Sequence, residues 1–142
     1  MIGPLLFTLQ VAGMAGARMP ACPDVPAEAV IHRLSQLPPD IREDLLRNYK
    51  DMGERTSPLL QTDTPSAVES KYPTSRFVQA VLIKNVWYVQ FKVSLFAGVR
   101  TLGYFRHPDG HYQISASNYY GGPACETLRA AIKGVYNPGR PY

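Results

Sequence analysis

At 142 residues, with a net charge of +4, 45% hydrophobic and 18% charged residues, the chain has the size and composition of one folded domain, not of a disordered chain or a multi-span membrane bundle. Its fifteen basic and eleven acidic residues are spread without a run of like charges, so no concentrated nucleic-acid or membrane footprint is written into the chain. The thirteen prolines gather at the two ends and in the linkers, where a fixed φ and a missing N–H do least harm.

The chain opens with an apolar stretch, Ile2 to Ala17, shorter than the roughly 20 residues needed to span a bilayer. Ala15 and Ala17 set an A-x-A pattern before Arg18, as at a secretory cleavage site, although the basic segment that normally precedes such a leader is missing. Residues 1–17 therefore read as a signal peptide or an apolar leader packed on the domain, and residues 18–142 as a single α+β domain. Cys22 and Cys125 are the two cysteines, both beyond the leader. That is the inventory of one disulfide in an exported protein, tying the N-terminal arm to the last helix; the alternative is two unrelated buried thiols. No C-x-x-C is present, so a redox-active pair is not indicated.

After Cys22, Val30, Leu34 and Leu37 recur at helical spacing, with Asp24 as a cap and Pro26 in the first turn, and predict a short amphipathic helix ended by Pro38 and Pro39. Asp40 and Glu43 form a capping-box pattern for a second helix, in which Ile41, Leu45, Tyr49 and Met52 line one face up to Gly53. From Glu54 to Pro73 the chain is rich in Ser, Thr and Pro and reads as a long connection, with Leu59 and Leu60 tucked inward and a helical turn from Ser66 to Ser70.

The clearest pattern follows. RFVQAVLI, VWYVQFKVSLFA, VRTLGYFR and HYQISASN read as four strands, joined at Lys84-Asn85, Gly98 and His107–Gly110. In the second of them Trp87, Val89, Phe91, Val93 and Leu95 alternate with Tyr88, Gln90, Lys92 and Ser94, the pattern of a sheet packed on one face and open on the other. Leu128, Ile132 and Val135 then mark a final helix. The expected fold is α+β: two N-terminal helices, a four-stranded antiparallel meander and one C-terminal helix packed on the sheet. In element order this resembles cystatin-type and nuclear-transport-factor-type sheets wrapped on a helix, a resemblance that implies a shape and no activity.

For chemistry, the densest stretch is YFRHPDGHYQ, with His107, Asp109 and His111 inside five residues. Pro-Asp-Gly is turn chemistry in its own right, which leaves His107 and His111 as weak acid–base candidates at the hairpin tip and gives no metal site. His32, beside the apolar stripe of the first helix, is a third histidine to consider. No Walker loop, G-x-S-x-G, G-x-G-x-x-G or H-E-x-x-H occurs, and no cofactor is implied. Recognition is better served: nine tyrosines are present, and Tyr119 and Tyr120 run directly into Gly121 and Gly122, an aromatic, glycine-flanked segment suited to contact. Tyr88 and Lys92 on the polar sheet face form a second candidate surface.

The reading from sequence is thus a small exported, periplasmic or extracellular binding module that recognises a macromolecule or small ligand, not nucleic acid, and does not span a membrane. The alternatives are a small enzyme with a cavity between sheet and helices that uses a histidine, and a subunit that pairs with its own copy.

Overall fold

The computed structural model describes residues 22–118 and 122–134, with 113–118 described through their backbone. The expected leader at 1–17 and the candidate contact residues Tyr119, Tyr120 and Gly121 lie outside the described residues. Five strands, β1 (Ala29–Ile31), β2 (Ser75–Ile83), β3 (Val86–Val93), β4 (Arg100–Arg106) and β5 (Tyr112–Asn118), form one sheet in sequential order, every pair antiparallel. Two helices accompany it, α1 (Pro39–Asn48) and α2 (Ala124–Ile132).

The four-strand meander follows the sequence pattern. Both longer helices form, but shorter than expected: α1 ends at Asn48, leaving Tyr49 as its C-cap and Met52 beyond it, and α2 ends at Ile132, which is exposed, while Val135 lies outside the described residues. The first expected helix does not form. Its residues instead make the edge strand β1, paired with Ala80–Leu82, and a single 3-10 turn at Leu34–Gln36. Two β-branched residues, Val30 and Ile31, lie beside an unfilled sheet edge, and strand pairing satisfies backbone groups that a short isolated helix would leave at its ends. Leu34 and Leu37 reach the core from the turn just as they would from a helix, which is why the apolar spacing misleads. Asp24 is no cap; it pairs with Arg129 at 2.9 Å. Nor does the Asp40 capping box form, because Pro38 occupies the N-cap and Pro39 the first turn.

The sheet is covered on both faces. On one, α1 and the 3-10 turn lay Ile41, Leu45, Leu34 and Leu37 over Phe77, Val89, Phe91 and Leu102. On the other, α2 and the arm at Cys22 lay Leu128, Ala131 and Cys22 over Val81, Ile83 and Tyr88. The polar face expected to be open is therefore a second interior. Gln90, fully buried, makes this possible: its amide nitrogen donates to Thr101 Oγ1 at 2.9 Å, Thr127 Oγ1 at 3.0 Å and the Ala124 carbonyl at 2.8 Å, while its oxygen accepts from Gln79 at 2.7 Å. Every polar group of that side chain is paired, as burial demands. Cys22 and Cys125 are joined by a disulfide, their Cα atoms 5.5 Å apart, which fastens the arm to the first turn of α2.

Two hairpins show why their turns were readable. Lys84 and Asn85 both have positive φ, 50° and 67°, the two-residue type I′ geometry that matches strand twist. At the next tip the Gly110 N–H donates to the His107 carbonyl at 2.9 Å, the His107 N–H donates to the His111 carbonyl at 2.7 Å, and Gly110 takes φ 99°. That is a type I turn followed by a left-handed glycine.

Candidate functional site

Antiparallel order sorts the loops to two ends of the sheet. The Lys84-Asn85 and His107–His111 turns lie at one end; the β3–β4 loop, the segment leading into β2 and the C-terminal end of β5 lie at the other.

At the histidine end, Asp109 Oδ1 accepts the His111 N–H at 2.9 Å, and that bond is the main reason its carboxyl sits below the ordinary aspartate range. The His111 side chain is exposed and reaches Asp40 Oδ2 at 3.4 Å, linking the hairpin tip to the first turn of α1. His107 is exposed and its ring lies 5.2 Å from that of Phe105. Behind them the buried Tyr104 hydroxyl donates to Asp44 Oδ2 at 2.8 Å. Among the described residues no group of three or more His, Cys, Asp or Glu is placed to hold a metal ion. His32 follows directly on β1 and is half-buried, not on a helix. The three histidines are not brought to one place: His107 and His111 frame one turn, and His32 belongs to the opposite edge of the sheet.

The other end carries features that sequence reading missed. β3 stops at Val93, two residues before the expected alternation ends, and Leu95 and Phe96 turn outward, 61% and 66% exposed. Leu95 holds φ 67°, a left-handed conformation that costs a non-glycine residue about 1–2 kcal/mol. The loop is held firmly nonetheless: the Ser94 N–H donates to Thr74 at 2.7 Å and the Phe96 N–H to Val93 at 3.1 Å. Ser94 Oγ also donates to the Leu60 carbonyl. The same spot roots a second loop, residues 61–72, closed by the Leu60 N–H donating to Pro73 at 3.0 Å. Its helical turn is capped reciprocally by Ser66 and Glu69, and the Ser66 N–H, ahead of its hydroxyl, holds the Glu69 carboxyl below its ordinary value. Val68, on that turn, is 66% exposed.

The Val99 N–H donates to the Gly122 carbonyl at 3.2 Å. Gly122 is thereby tied to the last residue of the loop that carries Leu95 and Phe96. Of the second candidate surface, Lys92 is half-buried at this end, whereas Tyr88 is buried under α2 and its hydroxyl is pushed above the ordinary tyrosine value by burial. Tyr88 and Lys92 therefore do not form one open patch. The signal for the missed residues was present in LFAG: an apolar run ending at a glycine turn fits an outward tip as well as a strand end.

No protein-family model, no curated protein and no solved structure matches this chain, so the likeness in element order to cystatin-type and nuclear-transport-factor-type sheets gains no support. Among the described residues no helix is long and apolar enough to cross a membrane.

Proposed function

We propose that the protein is an exported binding module that recognises its partner through the loop end of the sheet that carries Leu95 and Phe96, and that it catalyses nothing. The observation that carries this reading is the outward Leu95–Phe96 tip, 61% and 66% exposed, on a loop whose last residue before β4, Val99, donates its N–H to the Gly122 carbonyl at 3.2 Å. Large apolar side chains held outward on an anchored loop mark interaction sites. A left-handed leucine there is a conformational cost that packing does not return. Export is supported by the Cys22–Cys125 disulfide, since such bonds persist in oxidising compartments.

The test is site-specific photocrosslinking of the full chain in cells, with benzoylphenylalanine at position 96 or, as control, at position 84 on the opposite end. A discrete adduct at 96 that is absent at 84 and is lost on Leu95→Ser is the expected result. Identical adduct patterns at both positions, or none at 96, would overturn the reading.

A further inference from the structure

The arm at residues 22–27 lies on the second face of the sheet through Cys22 and Val25, which pack with Val81, Ile83, Tyr88 and Leu128. Among the described residues, its first backbone bond to the sheet comes only where β1 begins, from the Glu28 N–H to the Leu82 carbonyl at 2.8 Å; the Val25 N–H donates within the arm, to the Cys22 carbonyl at 3.0 Å. The arm is tied to α2 by the Cys22–Cys125 bridge and by the Asp24–Arg129 ion pair at 2.9 Å. Both charged side chains of that pair are well exposed, so it adds little. Cys22 is buried and Val25 half-buried. Burying one small side chain and part of another returns less than ordering the backbone of the whole arm costs, even with Pro23 and Pro26 lowering that cost. The bridge therefore decides whether the arm stays down.

The bridge is approachable from one side. Cys22 is 2% exposed, whereas Cys125 is half-buried in the first turn of α2. A thiolate from a dithiol reductant attacks the Cys125 sulfur; the S–S bond breaks, its electron pair leaves on the Cys22 sulfur, and that sulfur takes up a proton as the arm lifts. The reductant's second thiol then displaces Cys125 from the mixed disulfide, and a helix N-terminus favours the thiolate that leaves there. The protein ends with both cysteines as thiols and the reductant ends as a disulfide. α2 loses a tie yet keeps its seat on the sheet, because Gln90 still donates to the Ala124 carbonyl at 2.8 Å and to Thr127 Oγ1 at 3.0 Å, and Leu128 is fully buried.

We infer that residues 22–27 are a redox-released strap: reduction of Cys22–Cys125 by a dithiol lifts the arm and opens the margin of the second face at Ile83 and Tyr88, while α2 stays docked. With the strap in place Ile83 and Tyr88 are 8% and 9% exposed, the least deeply buried of the core residues on that face. The strap is independent of the loop-end reading, since it lies on a face of the sheet and the Leu95–Phe96 tip lies on a loop.

The test compares the oxidised full chain with the same protein in excess dithiothreitol under native conditions. Alkylation and mass spectrometry count the free thiols, and NMR with a soluble gadolinium chelate reads which side chains meet solvent. Both cysteines are expected to be alkylated, the Val25 amide to exchange at least about tenfold faster, and the chelate to relax the Ile83 methyl and Tyr88 ring signals about threefold more strongly. The Leu128 methyls, under α2, and the Val89 methyls, on the opposite face, should not change. Cys22→Ser/Cys125→Ser should show the reduced pattern with and without dithiothreitol; if that variant does not fold, the wild-type comparison decides alone. A bridge that is reduced only when the protein is unfolded overturns the inference. So does full reduction with Val25 and Ile83 unchanged, which would mean that packing alone holds the arm. Leu128 reaching solvent together with Ile83 would mean that α2 lifts as well, and overturns a strap confined to the arm. The crosslink at position 96 is read separately, so the failure of either proposal leaves the other standing.

Discussion

Gln79 donates its side-chain amide to the side-chain oxygen of Gln90 at 2.7 Å, at a point where β2 carries an extra residue, Val78, so that Phe77 faces Phe91 and Gln79 faces Gln90. The bulge brings the two amides to one level beneath α2, where Gln90 also holds Thr101, Thr127 and Ala124. Gln90→Leu leaves the buried Gln79 amide without its acceptor and removes the link from sheet to helix. A stranded buried polar group costs about 1–3 kcal/mol, so urea unfolding should show a loss of at least about 2 kcal/mol once the link is included. Gln79→Leu/Gln90→Leu together should cost less than the sum of the single changes. Strict additivity would mean that the two amides act independently.

Gly110 and His111 separate the structural role of the hairpin tip from any chemical one. Gly110 has φ 99°, and Gly110→Ala should destabilise by about 1–2 kcal/mol through that conformation alone. His107→Ala and His111→Ala should each stay within about 0.5 kcal/mol, since both side chains are exposed and the His111–Asp40 contact is a surface pair. Thermal melts of the three variants check the order. A large loss for either histidine, with Gly110→Ala neutral, would contradict it.

These two sites show what was legible in the sequence and what was not. Strand alternation in β3 and the turn residues at Lys84-Asn85 and Pro108–Gly110 are local signals, and local geometry decided them. The cover over Gln90 was not legible, because alternation of apolar and polar residues reports which face is greasy, and a polar face can be interior when its amides and hydroxyls pair with each other. The strand at Ala29–Ile31 failed for a related reason: three residues carry too little period to distinguish a helix from an edge strand, and a vacancy beside β2 made the choice. The disulfide partners were visible in the sequence, whereas Leu95 and Phe96 were absorbed into a strand that ends two residues earlier.

The bond between Cys22 and Cys125 closes a loop of 103 residues. Loops of that size are worth about 4–5 kcal/mol in the chain-entropy picture. Cys22→Ser/Cys125→Ser should therefore lower the unfolding free energy by several kcal/mol, within the range of about 2–5 usual for native bridges. Because the bridge joins the arm to α2, amide exchange should rise in 124–132 before it rises in β3. Uniform acceleration across both would contradict a latch confined to that face.

Tyr88 makes stability fall at alkaline pH. Burial raises its pKa in the folded state above the ordinary value, so the unfolded chain releases the phenolic proton first as pH rises. Below the ordinary tyrosine value, about 10, both states are neutral and the side chain adds no pH dependence; above it the unfolded state binds fewer protons and stability declines until the folded state ionises too. Tyr88→Phe should flatten this part of the curve in urea titrations between pH 9 and 11, an interval set around that value. An unchanged slope would place the alkaline sensitivity elsewhere.

Leu95 combines exposure with a left-handed backbone, and each property predicts the same sign. An exposed leucine loses little packing when replaced, and asparagine visits the left-handed region with less strain than leucine does. Leu95→Asn should therefore stabilise the fold by about 0.5–1 kcal/mol, seen as a higher urea midpoint at unchanged slope. Leu95→Val, with a β-branched side chain at the same φ, should destabilise. A natural leucine that lowers stability where asparagine would raise it fits selection for what the side chain touches outside the domain. If Leu95→Asn instead destabilises, the leucine is packing its own loop, and the case for this tip as a contact surface weakens with it.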